Sequence, residues 1–328
     1  MMKLTTMKKL VDTLTKEWES PIADQILEKW NHDPDSLFYV RSSANFVFKF
    51  KENGQLRYLR FNSTSERSRK ETENEMEILC FLNEKTPNIV KPILSKNNRY
   101  VEIVKTEIDD YIAVVFDGYG GKMYEVEDLS EDQFYTWGKT LGKLHGVMDQ
   151  IPQELVKKRK TWQDHLDFVK DHIPVSEKVL LKEIEAIRKW AQSSNAKRGL
   201  IHYDFELDNL HWYSETIKIF DFDDSSVYWY GADIAYALRD LFNGKIDTDN
   251  PHYKRFMAGY ESEFEVDENL DQDLHMFMKL HQLYSYPRIL RSLDYKTNDE
   301  APNWIKGLTE KLTNYSESLK ASVLNTNS

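Results

Sequence analysis

Cys80 is the only cysteine among the 328 residues of the chain. No intrachain disulfide can form, which suits a reducing compartment, and Cys80 itself reads as a small buried apolar residue. Glycine and proline are scarce, at 12 and 9 residues, so long disordered or low-complexity tracts are not expected. No apolar run approaches the length of a membrane span, and the lysines within Met1–Leu10 are not followed by a signal-peptide core. Basic residues are fewer than acidic ones, 44 against 55, a net charge of -11. That balance disfavours nucleic acid and anionic membranes as main partners. A cytoplasmic protein is the expectation.

What is present is an apolar content of 40%, just under the ordinary globular range, with 13% aromatics, spread over more residues than one hydrophobic core usually serves. Two packed lobes are therefore expected. Leu10, Leu14 and Trp18, then Ile22, Ile26 and Trp30, recur at helical spacing and predict two short opening helices. From Leu37 the period changes: Phe46, Phe48 and Phe50 alternate with polar or smaller residues, and Asn53-Gly54 separates them from Leu56–Phe61. Asn-Gly readily supplies the positive φ angles of a tight primed turn, so this is a hairpin signal. Ser65–Leu82 predicts an amphipathic helix that Pro87 closes, and Arg99–Lys105 and Tyr111–Phe116 are strand candidates.

Gly118-Tyr119-Gly120-Gly121 marks the expected lobe boundary, giving lobes of residues 1–117 and 118–328. Beyond it, apolar spacing predicts helices over roughly 129–149, 161–172, 176–193, 231–243, 250–264, 270–293 and 303–320. One β-patterned insert, Gly199–Phe222, interrupts them and carries the densest set of acidic and amide groups. The Lys157-Lys158-Arg159-Lys160 run reads as a solvated loop.

Within the insert, His202-Tyr203-Asp204 is followed by Asn209, and Ile219-Phe220-Asp221-Phe222-Asp223-Asp224 comes after a further short segment. His-x-Asp-x-x-x-x-Asn followed by apolar-Asp-Phe is a kinase pattern. If Leu210–Tyr213 runs out as one strand and Thr216–Phe220 returns beside it, Asn209 and Asp221 lie at the same end of that hairpin. One amide and one carboxylate are enough protein ligands for magnesium, whose remaining positions go to water and nucleotide phosphates. Asp204, one loop away, would face an acceptor hydroxyl.

These residues resemble the aminoglycoside phosphotransferase family, whose relatives include choline, homoserine, fructosamine and methylthioribose kinases. Leu141-Gly142-Lys143-Leu144-His145-Gly146 and Gly231-Ala232-Asp233-Ile234-Ala235 extend the likeness, which covers about residues 37–295 with gaps. The resemblance implies an α+β, two-lobed, protein-kinase-like fold with a small antiparallel sheet in the first lobe and a mostly helical second lobe. It implies ATP and Mg2+ as cofactors and a small-molecule hydroxyl acceptor. Carried over residue by residue, Asp204 is the catalytic base, Asn209 and Asp221 are magnesium ligands, and His202 and Asp233 support the catalytic loop. Asn45 lies at the exit of the phosphate loop, and Glu75 pairs with the strand cation. Phe116 and Gly118, at the lobe junction, complete the nucleotide-binding set.

The chain departs from the family pattern at three places. Leu59-Arg60 stands where a leucine and lysine are expected, and a planar guanidinium is not a drop-in for an ammonium. The turn Ser42-Ser43-Ala44 lacks glycine, and Tyr203 occupies a position often held by glycine. Asp223, with Asp224, is either a further metal contact or part of a solvated turn. Tyr228, Trp229 and Tyr230 either line a cage for a cationic or sugar-like acceptor or fill the core. His145 and His202 read as structural histidines. The leading function is an ATP- and magnesium-dependent small-molecule kinase. A catalytically silent nucleotide-binding protein is the alternative, suggested by Arg60 and the glycine-poor turn. A glycosyltransferase reading Asp221-Phe222-Asp223 as its metal motif is a third possibility, which leaves Asp204 and Asn209 without a role.

Overall fold

A computed structural model describes residues 1–213 and 216–325. They form two compact units. The first holds Met1–Cys80, Val90–Tyr119 and Arg288–Ser316; the second holds Phe81–Ile89, Gly120–Pro287 and the residues from Glu317 onward.

The first unit opens with helices α1 (Leu4–Val11) and α2 (Pro21–Leu27). Ser20 caps α2 by accepting from the Ala23 amide, and Pro21 occupies the first helical position, where a missing N–H leaves no bond unmade. Strands β1 (Phe38–Ser42), β2 (Phe46–Glu52) and β3 (Gln55–Ser63) follow, then helix α3 (Arg69–Lys85) and strands β4 (Pro92–Ile93), β5 (Glu102–Lys105) and β6 (Asp110–Asp117). The sheet is antiparallel in the order β1-β2-β3-β6-β4, and β5 also pairs with β6. Glu52 pairs with Gln55 across the expected two-residue turn, where Asn53 and Gly54 have φ of 51° and 75°. The Asp33 carboxylate accepts both turn amides at 2.8 Å.

Strand alternation sends Phe46, Phe48 and Phe50 to one face, where they are buried with Leu59, Phe61 and Tyr111. Leu10, Ile22, Ile26 and Trp30 join the same cluster from the opening segment, and Trp304 and Leu308 pack against it. Each such aromatic ring contributes about 1.5–3 kcal/mol on burial, so this face is the unit's core. Cys80 is half-buried rather than fully buried. It takes part in a hydrogen bond with Tyr100 that raises the pKa of that phenol.

The second unit takes the end of α3 from Phe81 and then α4 (Glu131–Met148), α5 (Gln153–Val156), α6 (Trp162–His172) and α7 (Lys178–Ser193). Ser130 with Gln133 and Thr161 with Asp164 form reciprocal capping boxes that fix where α4 and α6 start. The β-insert comprises β7 (Arg198–Ile201), β8 (Leu210–Tyr213), β9 (Thr216–Ile219) and β10 (Ser226–Trp229). The chain continues through α8 (Tyr230–Ala237), α9 (Arg239–Phe242), α10 (Pro251–Glu261), α11 (Leu270–Ser292) and α12 (Asn303–Asn325). The end of α11 and much of α12 belong to the first unit.

β7 pairs antiparallel with β10, from Ile201 opposite Ser226 to Arg198 opposite Trp229. β8 pairs with β9, and its residues 214 and 215 lie outside the described part of the chain. Helices α4 and α10 approach at glycines: a Cβ on Gly138 would sit 1.9 Å from the Phe256 carbonyl oxygen, and one on Gly259 would sit 2.0 Å from that of Tyr135. That close contact brings His145 on α4 to Tyr260 on α10. The architecture is the α+β one expected, an antiparallel sheet in one unit and mostly helix in the other. No described helix is long and apolar enough to cross a membrane.

Candidate active site

β7 delivers the chain into the turn His202–Asp204, and α8 places Asp233 beneath it. Asp233 is fully buried. Its Oδ2 accepts from the His202 amide at 2.9 Å and from His145 Nε2 at 3.0 Å, and its Oδ1 accepts from the Tyr203 amide at 2.8 Å. His145 Nδ1 meets the Tyr260 hydroxyl at 2.7 Å. A buried carboxylate is tolerable only when bonded in this way, and here it captures two consecutive amides of the turn.

His202 ties the same turn to the strand beyond. Its Nδ1 accepts from the Asp204 amide at 3.3 Å and its Nε2 lies 3.1 Å from the Phe220 carbonyl oxygen, so Nε2 carries the proton. Burial pushes its pKa below the ordinary 6.5, against the opposing pull of Asp233, Asp204 and Asp223. The ring is neutral and both nitrogens are committed to the backbone.

Tyr203 adopts φ of +75°, a region that glycine enters freely and a bulky side chain does not. The departure from glycine has a packing basis. Its ring is buried and packs edge-on to Tyr228, Tyr236 and His165, at centroid distances of 5.3, 5.1 and 5.5 Å. Burial of a whole aromatic outweighs a backbone cost of about 1–2 kcal/mol.

Asp204 is one-third exposed. Asn209, itself buried, donates its side-chain amide to Asp204. The other Asp204 oxygen, Oδ1, lies 3.4 Å from Arg239 Nη1, and Arg239 is also ion-paired with Glu206. Leu210 pairs with Ile219, and the Phe220 amide donates to the Asn209 carbonyl oxygen at 3.2 Å. Asn209 and Asp221 therefore leave the same end of the β8–β9 hairpin, and Asp204 joins them through Asn209. The set presents an amide and carboxylate oxygens, hard donors suited to magnesium. Arg239 and Glu206 were not singled out by the motif, because neither falls on its fixed positions.

Asp221 has φ of +67°. The stretch after it is held by Arg159, whose Nη2 donates to the carbonyl oxygens of Phe222 and Asp223 at 3.1 and 2.7 Å and whose Nε donates to that of Ser225 at 2.7 Å. The solvated-loop reading of residues 157–160 therefore fails at Arg159, which is 9% exposed because its guanidinium satisfies buried carbonyls. Asp223 is buried beside it, not part of a solvated turn.

In the first unit, Arg60 on β3 and Glu75 on α3 form an ion pair, Nη2 to Oε2, of 2.6 Å. The guanidinium also lies over the Phe116 ring, 5.1 Å from its centroid. Asn45 is buried immediately before β2, where its Oδ1 accepts from Asn62 Nδ2 at 3.2 Å. Asn62 also donates to the Ala44 carbonyl oxygen at 2.6 Å, and the Met2 amide donates to that of Ser43 at 3.2 Å. The glycine-free turn is thus held by its neighbours. Gly118 donates its amide to Leu56, and a Cβ there would lie 2.3 Å from the Leu56 carbonyl oxygen, so only glycine fits.

Of the two readings of residues 228–230, the burial favours core packing over a cage. Tyr228, Trp229 and Tyr230 are each 2% exposed or less. The Tyr228 hydroxyl bonds His165 at 2.6 Å, Trp229 packs against Trp162, Trp190 and Phe277, and Tyr230 donates to Asp149 at 2.8 Å. Their rings fill the core between β10 and its helices, leaving no face for an acceptor.

A sequence model of the phosphotransferase enzyme family matches residues 40–268. The chain belongs to that family. The phosphotransferase is 22% identical over 310 residues to amicoumacin kinase of Bacillus subtilis (strain 168), covering 90% of this chain and 92% of that one. Among solved structures, an amicoumacin kinase "in complex with AMP-PNP, Ca2+ and Ami" shares its fold with a TM-score of 0.73 at 19% identity, covering 90% of this chain and 92% of the other. A microcompartment-associated aminopropanol kinase does so with a TM-score of 0.66 at 21% identity, covering 92% and 94%. The phosphotransferase is therefore an enzyme of the small-molecule kinase class, with an alcohol group as phosphoryl acceptor.

Proposed function

We propose that this phosphotransferase moves the γ-phosphoryl group of ATP, with magnesium, to a hydroxyl of a small metabolite or aminoglycoside-like amine. The observation that carries this reading is the grouping of Asp204, Asn209 and Asp221 around one end of the β8–β9 hairpin. Asp204 is the catalytic base: it orients the acceptor hydroxyl and takes its proton as the new O–P bond forms and the bond to the β-phosphate oxygen breaks, releasing ADP. Asn209 and Asp221 would hold the metal, and the buried Asp223, two residues on from Asp221, is a further candidate. When bound, magnesium neutralises phosphate charge and fixes phosphate geometry.

The residues fit that assignment. The Asn209 side-chain nitrogen is committed to Asp204, which leaves the amide oxygen as its metal-facing atom. Arg60, paired with Glu75, is the cation for nucleotide phosphate, with Asn45, Phe116 and Gly118 as the further nucleotide-binding residues. Because Arg60 keeps the ion pair with Glu75, the departure from lysine does not by itself argue for a silent nucleotide binder. The glycosyltransferase reading loses its ground with family membership.

The direct test is an acceptor panel read by ADP release with magnesium, spanning aminoglycosides, choline-like amines, amino-acid alcohols and neutral sugars. Acceptor-dependent release with an amine-bearing alcohol is expected. ATP binding without acceptor-dependent release from any class would contradict the proposal.

A further inference from the structure

Arg159 stands apart from the run that contains it. Lys157, Lys158 and Lys160 are exposed, whereas Arg159 turns inward from the linker between α5 and α6. Its fork gathers the carbonyls of Phe222, Asp223 and Ser225, all within the four residues that follow Asp221. The same stretch is laced by its own bonds: the Ser225 amide and hydroxyl both donate to the Phe222 carbonyl oxygen, at 3.1 and 2.7 Å, and the Val227 amide donates to that of Lys160 at 2.8 Å.

Asp221 enters this stretch at φ of +67°, a conformation that L residues leave when nothing opposes it. Three carbonyls bound to one rigid, planar guanidinium oppose it. A lysine ammonium, a point donor on a flexible stem, cannot span three acceptors in the same way. We infer that Arg159 is a positioning residue: by clamping residues 222–225 it holds the Asp221 carboxylate in its metal-binding orientation before any metal arrives. This rests on the reading of Asp221 as a metal ligand. Arg159 acts through the loop whose carbonyls it binds, as outer-shell partners of metal ligands do.

The test uses the full chain with Mn2+ as probe and a non-hydrolysable ATP analogue, reading free Mn2+ by electron paramagnetic resonance. Wild type, Asp221→Asn, Arg159→Gln and Arg159→Lys are compared. Asp221→Asn should lose the bound Mn2+. Both Arg159 variants should weaken it about 10–100-fold, leave metal-free nucleotide affinity unchanged, and recover most of kcat at high metal. A purely structural arginine would lower the melting temperature without moving the Mn2+ midpoint, and an unchanged midpoint in a folded Arg159 variant overturns the inference alone. Mn2+ binding that survives Asp221→Asn overturns the metal assignment beneath it. If neither Arg159 variant folds, hydrogen exchange on wild type decides. Slow exchange of the Ser225 and Val227 amides before metal addition is expected, and protection that appears only with metal refutes a preformed loop.

Discussion

Asn209 donates its side-chain amide to Asp204 twice, to the backbone carbonyl oxygen at 2.9 Å and to the carboxylate Oδ2 at 3.0 Å. The proposed base and the proposed metal ligand are thus one bonded unit, and the bond fixes which end of the Asn209 amide faces outward. Asn209→Asp would remove the donor and set two carboxylates against each other. A fall in kcat of about 100-fold, with a raised magnesium requirement, is expected from steady-state kinetics across a metal titration. Wild-type kinetics in that variant would detach Asn209 from the metal.

Tyr203 offers a stability test with an unusual sign. Replacing it costs the buried ring, about 3–5 kcal/mol for an aromatic truncated to alanine. Glycine relieves the positive φ and alanine does not, so Tyr203→Gly should be more stable than Tyr203→Ala by about 1 kcal/mol, the reverse of the usual order. Urea unfolding of the two variants decides it.

The Arg60–Glu75 pair is buried, with side chains 11% and 3% exposed. Removing one partner strands the other, so Glu75→Ala should destabilise the protein by about 3 kcal/mol and raise KM for nucleotide. Arg60→Lys should keep nucleotide binding and alter kcat more than Glu75→Ala alters it per unit of lost stability. Thermal melts alongside ATP kinetics separate the two effects.

His202 makes stability depend on pH. Burial depresses its folded pKa below the unfolded value near 6.5. The unfolded chain therefore binds the proton more readily, and the contribution is fully present above that value and lost as pH falls below it. Unfolding free energy measured from about pH 7 down to pH 5 should decline, and the decline should be shallower in His202→Gln. An equal slope in both proteins would contradict a neutral buried ring.

Much of this fold could be read from local patterns. Asn53-Gly54 dictated its own turn, the three alternating phenylalanines their own face, and α4, α6, α7 and α11 begin and end within a few residues of their predicted spans. That Asp204, Asn209 and Asp221 come together was legible because their spacing is tied to one hairpin. What escaped depends on partners distant in sequence. β10 is four residues long and becomes a strand only because β7 lies beside it, so the sequence left open whether its aromatics line a cage or fill the core. Arg159 sits among lysines that share its charge, and nothing local reveals that three carbonyls wait for it. Arg239 is selected by Glu206 and Asp204 across a helix and a turn. The segment Arg288–Ser316 belongs to the first unit, a relation that chain order does not carry.

Single-turnover phosphoryl transfer by Asp204→Asn, with ATP, magnesium and the best acceptor from the panel, tests the proposed proton acceptor most directly. The amide preserves shape and leaves ATP binding intact but cannot take the proton, so the transfer rate should fall by about 100-fold or more. Transfer at the wild-type rate, with nucleotide binding unchanged, would contradict the assignment of the base.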